Sequence, residues 1–153
     1  MNQPRRDALR IYTVLGLALA AGLIKPSDVL AQEWSKDAFD AKSVNEALKA
    51  MGGIVGAASR EVVINAPDIA ENGAVVPFSV WVVLPNVQQI AILVEKNPSP
   101  LSANFMIPAG TEGSVSTRLK MAQTSNVHAL VKADGKWLLA TKEIKVTLGG
   151  CGG

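Results

Sequence analysis

Between residues 61 and 148, apolar side chains return at every second position in short runs separated by turn residues. This period of two restricts the chain more than any other feature, because successive side chains of a strand point to opposite faces. Val76, Phe78, Val80 and Val82 share one parity, with Ser79 and Trp81 on the other. Ile90, Ile92 and Val94 repeat the pattern, as do Val115, Thr117, Leu119 and Met121 opposite Ser116, Arg118 and Lys120. Val127, Ala129, Val131 and Ala133 form a further inward face. Asp134-Gly135 then supplies a tight-hairpin turn into a run that finishes with Ile144, Val146 and Leu148. With residues 61–65 and a short stretch at 105–107, these runs predict about seven strands. The expected fold class is all-β, an immunoglobulin-like antiparallel β-sandwich, with a small barrel as the competing closure. Asn97-Pro98-Ser99-Pro100 reads as a stiff connection at one end of the sandwich, with partner binding as its other reading.

A short helix is expected ahead of the strands. Ser43-Val44-Asn45-Glu46 fits a capping box, in which side chains satisfy backbone donors that a helix start leaves without partners. Val44, Ala47, Leu48 and Met51 follow the spacing of one helical face, and Gly52-Gly53 stops it. The expected organisation is therefore an export signal over 1–31, a helical segment over 32–56, the sandwich over 57–148 and a tail over 149–153.

Residues 1–31 combine a basic start, an apolar run over 11–24 and a small-residue ending at Val29-Leu30-Ala31, the layout of a targeting segment cleaved after Ala31. The apolar run is shorter than the ~20 residues that span a bilayer, so no stable membrane anchor is expected. Arg5 and Arg6, within Arg5-Arg6-Asp7-Ala8-Leu9-Arg10, match a twin-arginine signal; Pro4 and Ala8 depart from the usual pattern, and ordinary secretion is the alternative. The expected location is the periplasm. The formal charge of +2 belongs to this segment, which holds four basic and two acidic residues against eleven of each in the remainder. No basic footprint for nucleic acid remains, and seven aromatics are too few for a single-strand stacking surface. One Cys and one His exclude an intramolecular disulfide and a closed Cys/His zinc site, and the scattered carboxylates form no metal constellation. No metal and no cofactor are expected.

The last five residues are Gly149, Gly150, Cys151, Gly152 and Gly153. Ordering them would cost on the order of 5–10 kcal/mol, and glycines bury almost nothing to offset it, so a flexible arm is expected. Fully extended, five residues reach roughly 17 Å. Cys151 on such an arm can enter a pocket too narrow for a folded domain. A lone exposed thiol in an oxidising compartment is a liability unless it has a use. Lipid attachment fails on position, because a lipoprotein box belongs after an N-terminal apolar segment and prenylation needs a Cys four residues from the end.

The chain resembles the SoxY family, the sulfur-carrying subunits of SoxYZ complexes in bacterial sulfur oxidation. The stretches that carry the resemblance are FDAKS at 39–43, NAPDIAENGAVVP at 65–77, IAILVEKNP at 90–98, KMAQTS at 120–125 and VTLGGCGG at 146–153. The resemblance implies that Cys151 is the covalent attachment point for sulfur intermediates derived from thiosulfate, sulfide or sulfite. It also implies a heterodimer with a SoxZ-like companion subunit, which lacks a signal of its own and would be exported bound to this folded chain. The partners it implies in turn are a haem-containing loading enzyme, a sulfate-releasing hydrolase and often a molybdenum sulfane dehydrogenase. The chain itself would be no enzyme but a carrier acted on by enzymes.

Other residues carry weaker readings. His128 alternates with Leu130 and Lys132 opposite an inward face and reads as a partly exposed strand histidine. Trp81 and Trp137 read as core or subunit-interface anchors, and Trp34 and Phe39 as packing against the sandwich or the companion subunit. Two rival functions remain: a secreted immunoglobulin-like binding module without covalent chemistry, and a ubiquitin-like carrier using a Gly152-Gly153 thiocarboxylate, which needs cytosolic ATP. The Cys151 thiol has no Lys, Arg or His within the tail, since Lys145 is six positions upstream, and a carboxylate two residues away disfavours the thiolate. The pH dependence of its alkylation should therefore give a pKa at or above the ordinary ~8.5; a value well below that contradicts the expectation of an unactivated thiol.

Overall fold

A computed structural model describes residues 36–52 and 54–148. Arg5, Arg6 and Trp34 lie outside the described residues, as do Gly149, Gly150, Cys151, Gly152 and Gly153. Among the described residues two short helices precede the strands, α1 (Lys36–Asp40) and α2 (Val44–Ala50), where one was expected. The cap of α2 follows from its sequence. Ser43 is extended and its Oγ accepts the Glu46 N–H at 3.2 Å, while Glu46 Oε2 reaches back to accept the Lys42 N–H at 2.9 Å, one residue before the usual capping-box partner.

Nine strands follow among the described residues: β1 (Ala57–Ala58), β2 (Val62–Asn65), β3 (Ile69–Asn72), β4 (Val76–Val82), β5 (Val87–Val94), β6 (Leu101–Met106), β7 (Ser114–Leu119), β8 (Ser125–Ala133) and β9 (Lys136–Leu148). One sheet has the order β1-β9-β8-β5-β6, with β3 also paired to β9; the other is β2-β4-β7. The all-β sandwich class expected from the alternation is what forms. The two strands beyond the expected seven are β1 and β3, and both run parallel to β9. Parallel partners need long connections, and most of the domain separates each of them from β9 in sequence, so no local turn signal marks either. The Asp134-Gly135 turn is a true hairpin: both residues have positive φ, +47° and +74°, and Ala133 pairs with Lys136 across it.

The core lies between the sheets. Val76, Phe78, Val80 and Val82 of β4 meet Ile90, Ile92 and Val94 of β5, Val127, Ala129 and Val131 of β8 and Ile144 of β9, all buried. The half-buried reading of β5 needs correction, since Ala91 and Leu93 on its other face are buried as well. The helices cause this. Ala38, Ala41 and Ala47 form a second buried cluster with Ala91, Leu93, Leu101 and Leu130, against which Phe39, Leu48, Trp137 and Leu139 pack. On the outer face of the three-stranded sheet Trp81 is 54% exposed, which removes it from the core. Among the described residues Phe78 is the largest fully buried side chain. Phe78→Ala should destabilise the fold by about 3–5 kcal/mol, read as a lower midpoint in denaturant unfolding.

Candidate functional site at the root of the tail

Strand β9 is thirteen residues long and outruns its antiparallel partner. Its ladder with β8 ends where Ser125 faces Ile144, which leaves residues 145–148 to find other partners. A protein rarely leaves such backbone groups unpaired at a sheet edge. Here β3 takes them, with Ile69 opposite Lys145, Ala70 opposite Val146 and Asn72 opposite Leu148. The Lys145 N–H donates to the Asp68 carbonyl at 2.9 Å, Thr147 Oγ1 donates to the Glu71 carbonyl at 3.1 Å, and the Gly73 N–H donates to the Leu148 carbonyl at 2.7 Å. The Val146 N–H donates to Thr124 Oγ1 at 2.9 Å. Leu148, the last described residue, is thus held by its carbonyl.

The clasp is tied to the rest of this end of the sandwich. The Gly73 carbonyl accepts the Met121 N–H at 2.7 Å, and Asn72 Oδ1 accepts the Ala74 N–H at 2.9 Å. Asn97 staples the next two loops, with its Nδ2 donating to the Lys120 carbonyl at 2.7 Å and its Oδ1 accepting the Ala122 N–H at 3.1 Å. Ser125, buried, accepts the Lys96 N–H at 3.0 Å and donates to the Asn126 carbonyl at 2.9 Å. Asn97 therefore grips the residues on either side of Met121, whose own N–H bonds to Gly73, which in turn bonds to Leu148. Asn97-Pro98-Ser99-Pro100 does cap one end of the sandwich, and that end is the one from which the tail departs. Sequence reasoning missed the parts played by Gly73, Asn97 and Thr124; the Asn72-Gly73 pair, a common turn dipeptide, was the available signal.

Lys142 anchors the start of β3. Its Nζ lies 2.9 Å from Asp68 Oδ1 and also donates to the Ala66 carbonyl. The hydrogen bond from Lys142 and then its charge hold the Asp68 carboxyl below the ordinary carboxylate range, with a smaller contribution from Lys145. A depressed carboxyl stabilises the fold above its unfolded pKa, and that stabilisation is lost as pH falls through its folded pKa.

His128 is partly exposed on β8 and Trp137 packs against a core cluster, as the sequence reading had them, and each has a partner that spacing did not supply. His128 lies beside an acidic partner that spacing alone did not reveal: Glu95 Oε2 is 3.6 Å from its Nε2, and Thr141 Oγ1 is 2.9 Å from its Nδ1. Glu95 and His128 line a groove of about 450 Å³ with Lys42, Ser43, Val44 and Asn45. Ser43 Oγ accepts the Glu46 N–H in the cap of α2. Trp137 packs in the helix-side cluster with Lys132 Nζ 5.7 Å from its ring centroid. Among the described residues no group of three or more His, Cys, Asp or Glu side chains converges, and no helix is long and apolar enough to cross a membrane.

Four of the five stretches that carry the family resemblance, all but 39–43, run into this one end of the sandwich. Comparison with known proteins agrees. A family profile described as "Sulfur oxidation protein SoxY" matches residues 48–151, a span that closes on the single cysteine. The structure of the sulfur carrier protein SoxY from Chlorobium limicola f thiosulfatophilum matches with 38% identity and a TM-score of 0.63, over 74% of this chain and 100% of that one. A superoxide reductase (neelaredoxin) from Ignicoccus hospitalis matches with 20% identity and a TM-score of 0.52, over 57% of this chain and 80% of that one, which is a likeness of fold alone. Comparison with curated proteins returned no match.

Two outcomes test this site. Asn97→Ala removes both staples and should cost about 1–2 kcal/mol in denaturant unfolding. Asp68→Asn should slightly lower the thermal midpoint at neutral pH, with the difference from wild type fading as pH falls below the ordinary carboxylate range and through the depressed folded pKa of Asp68.

Proposed function

Because this chain belongs to the SoxY family, and is a carrier protein of sulfur oxidation, we propose that Cys151 is the atom-bearing site of that carriage. The observation that carries this reading is positional. The chain's one cysteine comes three residues after Leu148, where hydrogen bonding to the folded domain is last described, and only glycines separate the two. Glycine has no side chain to clash with a channel wall and the widest choice of backbone conformations, so the thiol is presented at the end of a thin, adaptable arm.

The chemistry is group transfer on sulfur. In loading, a disulfide-type bond forms between Cys151 Sγ and thiosulfate; the thiol proton goes to solvent and two electrons go to a haem-containing partner. A hydrolase partner then adds water and releases sulfate, leaving reduced sulfur on the carrier, and a sulfane dehydrogenase is the further candidate acceptor. The chain contributes position and the thiol, and the partners contribute activation, because an ordinary thiol is only a few per cent thiolate at neutral pH. Family membership implies a SoxZ-type companion. The periplasm is the proposed site of action, reached through the signal containing Arg5 and Arg6, with cleavage near Ala31.

Cys151→Ser should abolish thiosulfate-dependent turnover in the reconstituted system while leaving the denaturant midpoint unchanged, since the substitution lies beyond the last core strand and changes a single atom. A variant that keeps turnover contradicts the proposal and favours a binding module without covalent chemistry.

A further inference from the structure

We propose that Asn72 is a deamidation site that the β3–β9 clasp holds in reserve: it converts only in molecules whose clasp is open, and its isoaspartate product keeps the clasp from re-forming. The inference stands apart from the chemistry of Cys151. Asparagine is a thermolabile residue, most so where glycine follows, because glycine leaves the attacking backbone nitrogen unshielded and free to turn. Asn72 is the one asparagine of this chain that precedes a glycine. In the reaction the Gly73 nitrogen gives its proton to solvent and attacks Asn72 Cγ. A C–N bond forms, the Cγ–Nδ2 bond breaks and ammonia leaves, giving a five-membered imide. Water then opens the imide at either carbonyl, to aspartate or to isoaspartate, with no change of oxidation state.

The folded chain restrains both reacting groups. The Asn72 side chain is exposed at the end of β3, but Gly73 is buried. The Gly73 N–H donates to the Leu148 carbonyl at 2.7 Å, and the Gly73 carbonyl accepts the Met121 N–H at 2.7 Å. Asn72 Oδ1 accepts the Ala74 N–H at 2.9 Å, and Asn72 itself pairs with Leu148. Ring closure needs the Asn72–Gly73 peptide to rotate until its nitrogen faces Cγ, which breaks the bonds to Leu148 and Met121 together. Such an amide reacts from locally opened molecules, the same ones from which its hydrogen exchanges. Isoaspartate routes the backbone through the former side chain and so lengthens it by one methylene. The Ala70–Val146 pairing and the Gly73–Leu148 bond then cannot both keep their register.

The test incubates the mature chain with its companion subunit in mildly alkaline buffer. Mass spectrometry of the peptide containing Asn72 follows the conversion of amide to acid, and isoaspartate methyltransferase labels the isoaspartate. Conversion should be at least about tenfold slower than in the same chain unfolded in guanidinium. Thr124→Ala, which removes the acceptor of the Val146 N–H, should speed conversion about two- to tenfold and speed hydrogen exchange at the Gly73 amide in the same proportion. Asp68→Asn, an exposed change just before β3, should act in the same direction and serves if Thr124→Ala does not fold. Purified isoaspartate chains should have lost exchange protection at Gly73. Equal rates in folded and unfolded chains, conversion at another asparagine in place of Asn72, or faster Gly73 exchange without faster conversion overturns the proposal. Retained Gly73 protection in the isoaspartate chains overturns it as well. So does an unmodified Asn72 in the unfolded chain, or in folded wild type and variants alike while the unfolded chain converts.

Discussion

Backbone pairing along β9 is the interaction on which the rest of the structure depends. Three strands bond to this one thirteen-residue element: β8 along most of its length, β1 near its start and β3 over its last four residues. The first of these closes the large sheet and places Ile144 in the core. The last does something else. It continues hydrogen bonding past the core to Leu148, the residue that immediately precedes the glycine-rich tail in sequence. Without β3, Lys145, Val146 and Leu148 would lose their strand partners Ile69, Ala70 and Asn72.

Much of the sandwich was legible because alternation is a direct consequence of strand geometry. The inward faces of β4, β7, β8 and β9 are those the parity indicates, the Asp134-Gly135 hairpin forms, and Ser43 caps a helix. What was not legible has identifiable causes. β3 is Ile69-Ala70-Glu71-Asn72, of which only Ala70 is buried, and its Glu and Asn are poor strand formers; it exists because β9 offers it unpaired backbone groups. Burial of β5 on both faces had a signal, since residues 90–94 are apolar without interruption, but the cover comes from helices that lie far away in sequence. The Glu95–His128 contact likewise arises only when β5 and β8 pair.

The candidate site divides along the same line. Cys151 and its glycines could be singled out by composition and position, because a lone thiol between glycines has few uses. The platform beneath them could not, because its working parts are backbone amides and the small polar side chains of Asn97, Thr124 and Ser125, whose roles depend on which loops meet. The family resemblance pointed to these loops as stretches of sequence, and the fold gives the reason: they meet at the root of the tail.

The central claim is that sulfur is carried on the Cys151 side chain. Mass analysis of the peptide following Lys145, taken from protein exposed to thiosulfate and its oxidising partner, tests it most directly. The account predicts a sulfur adduct that fragmentation places on Cys151 and that a reductant removes. An unmodified peptide, or an adduct on the carboxylate of Gly153, would contradict it.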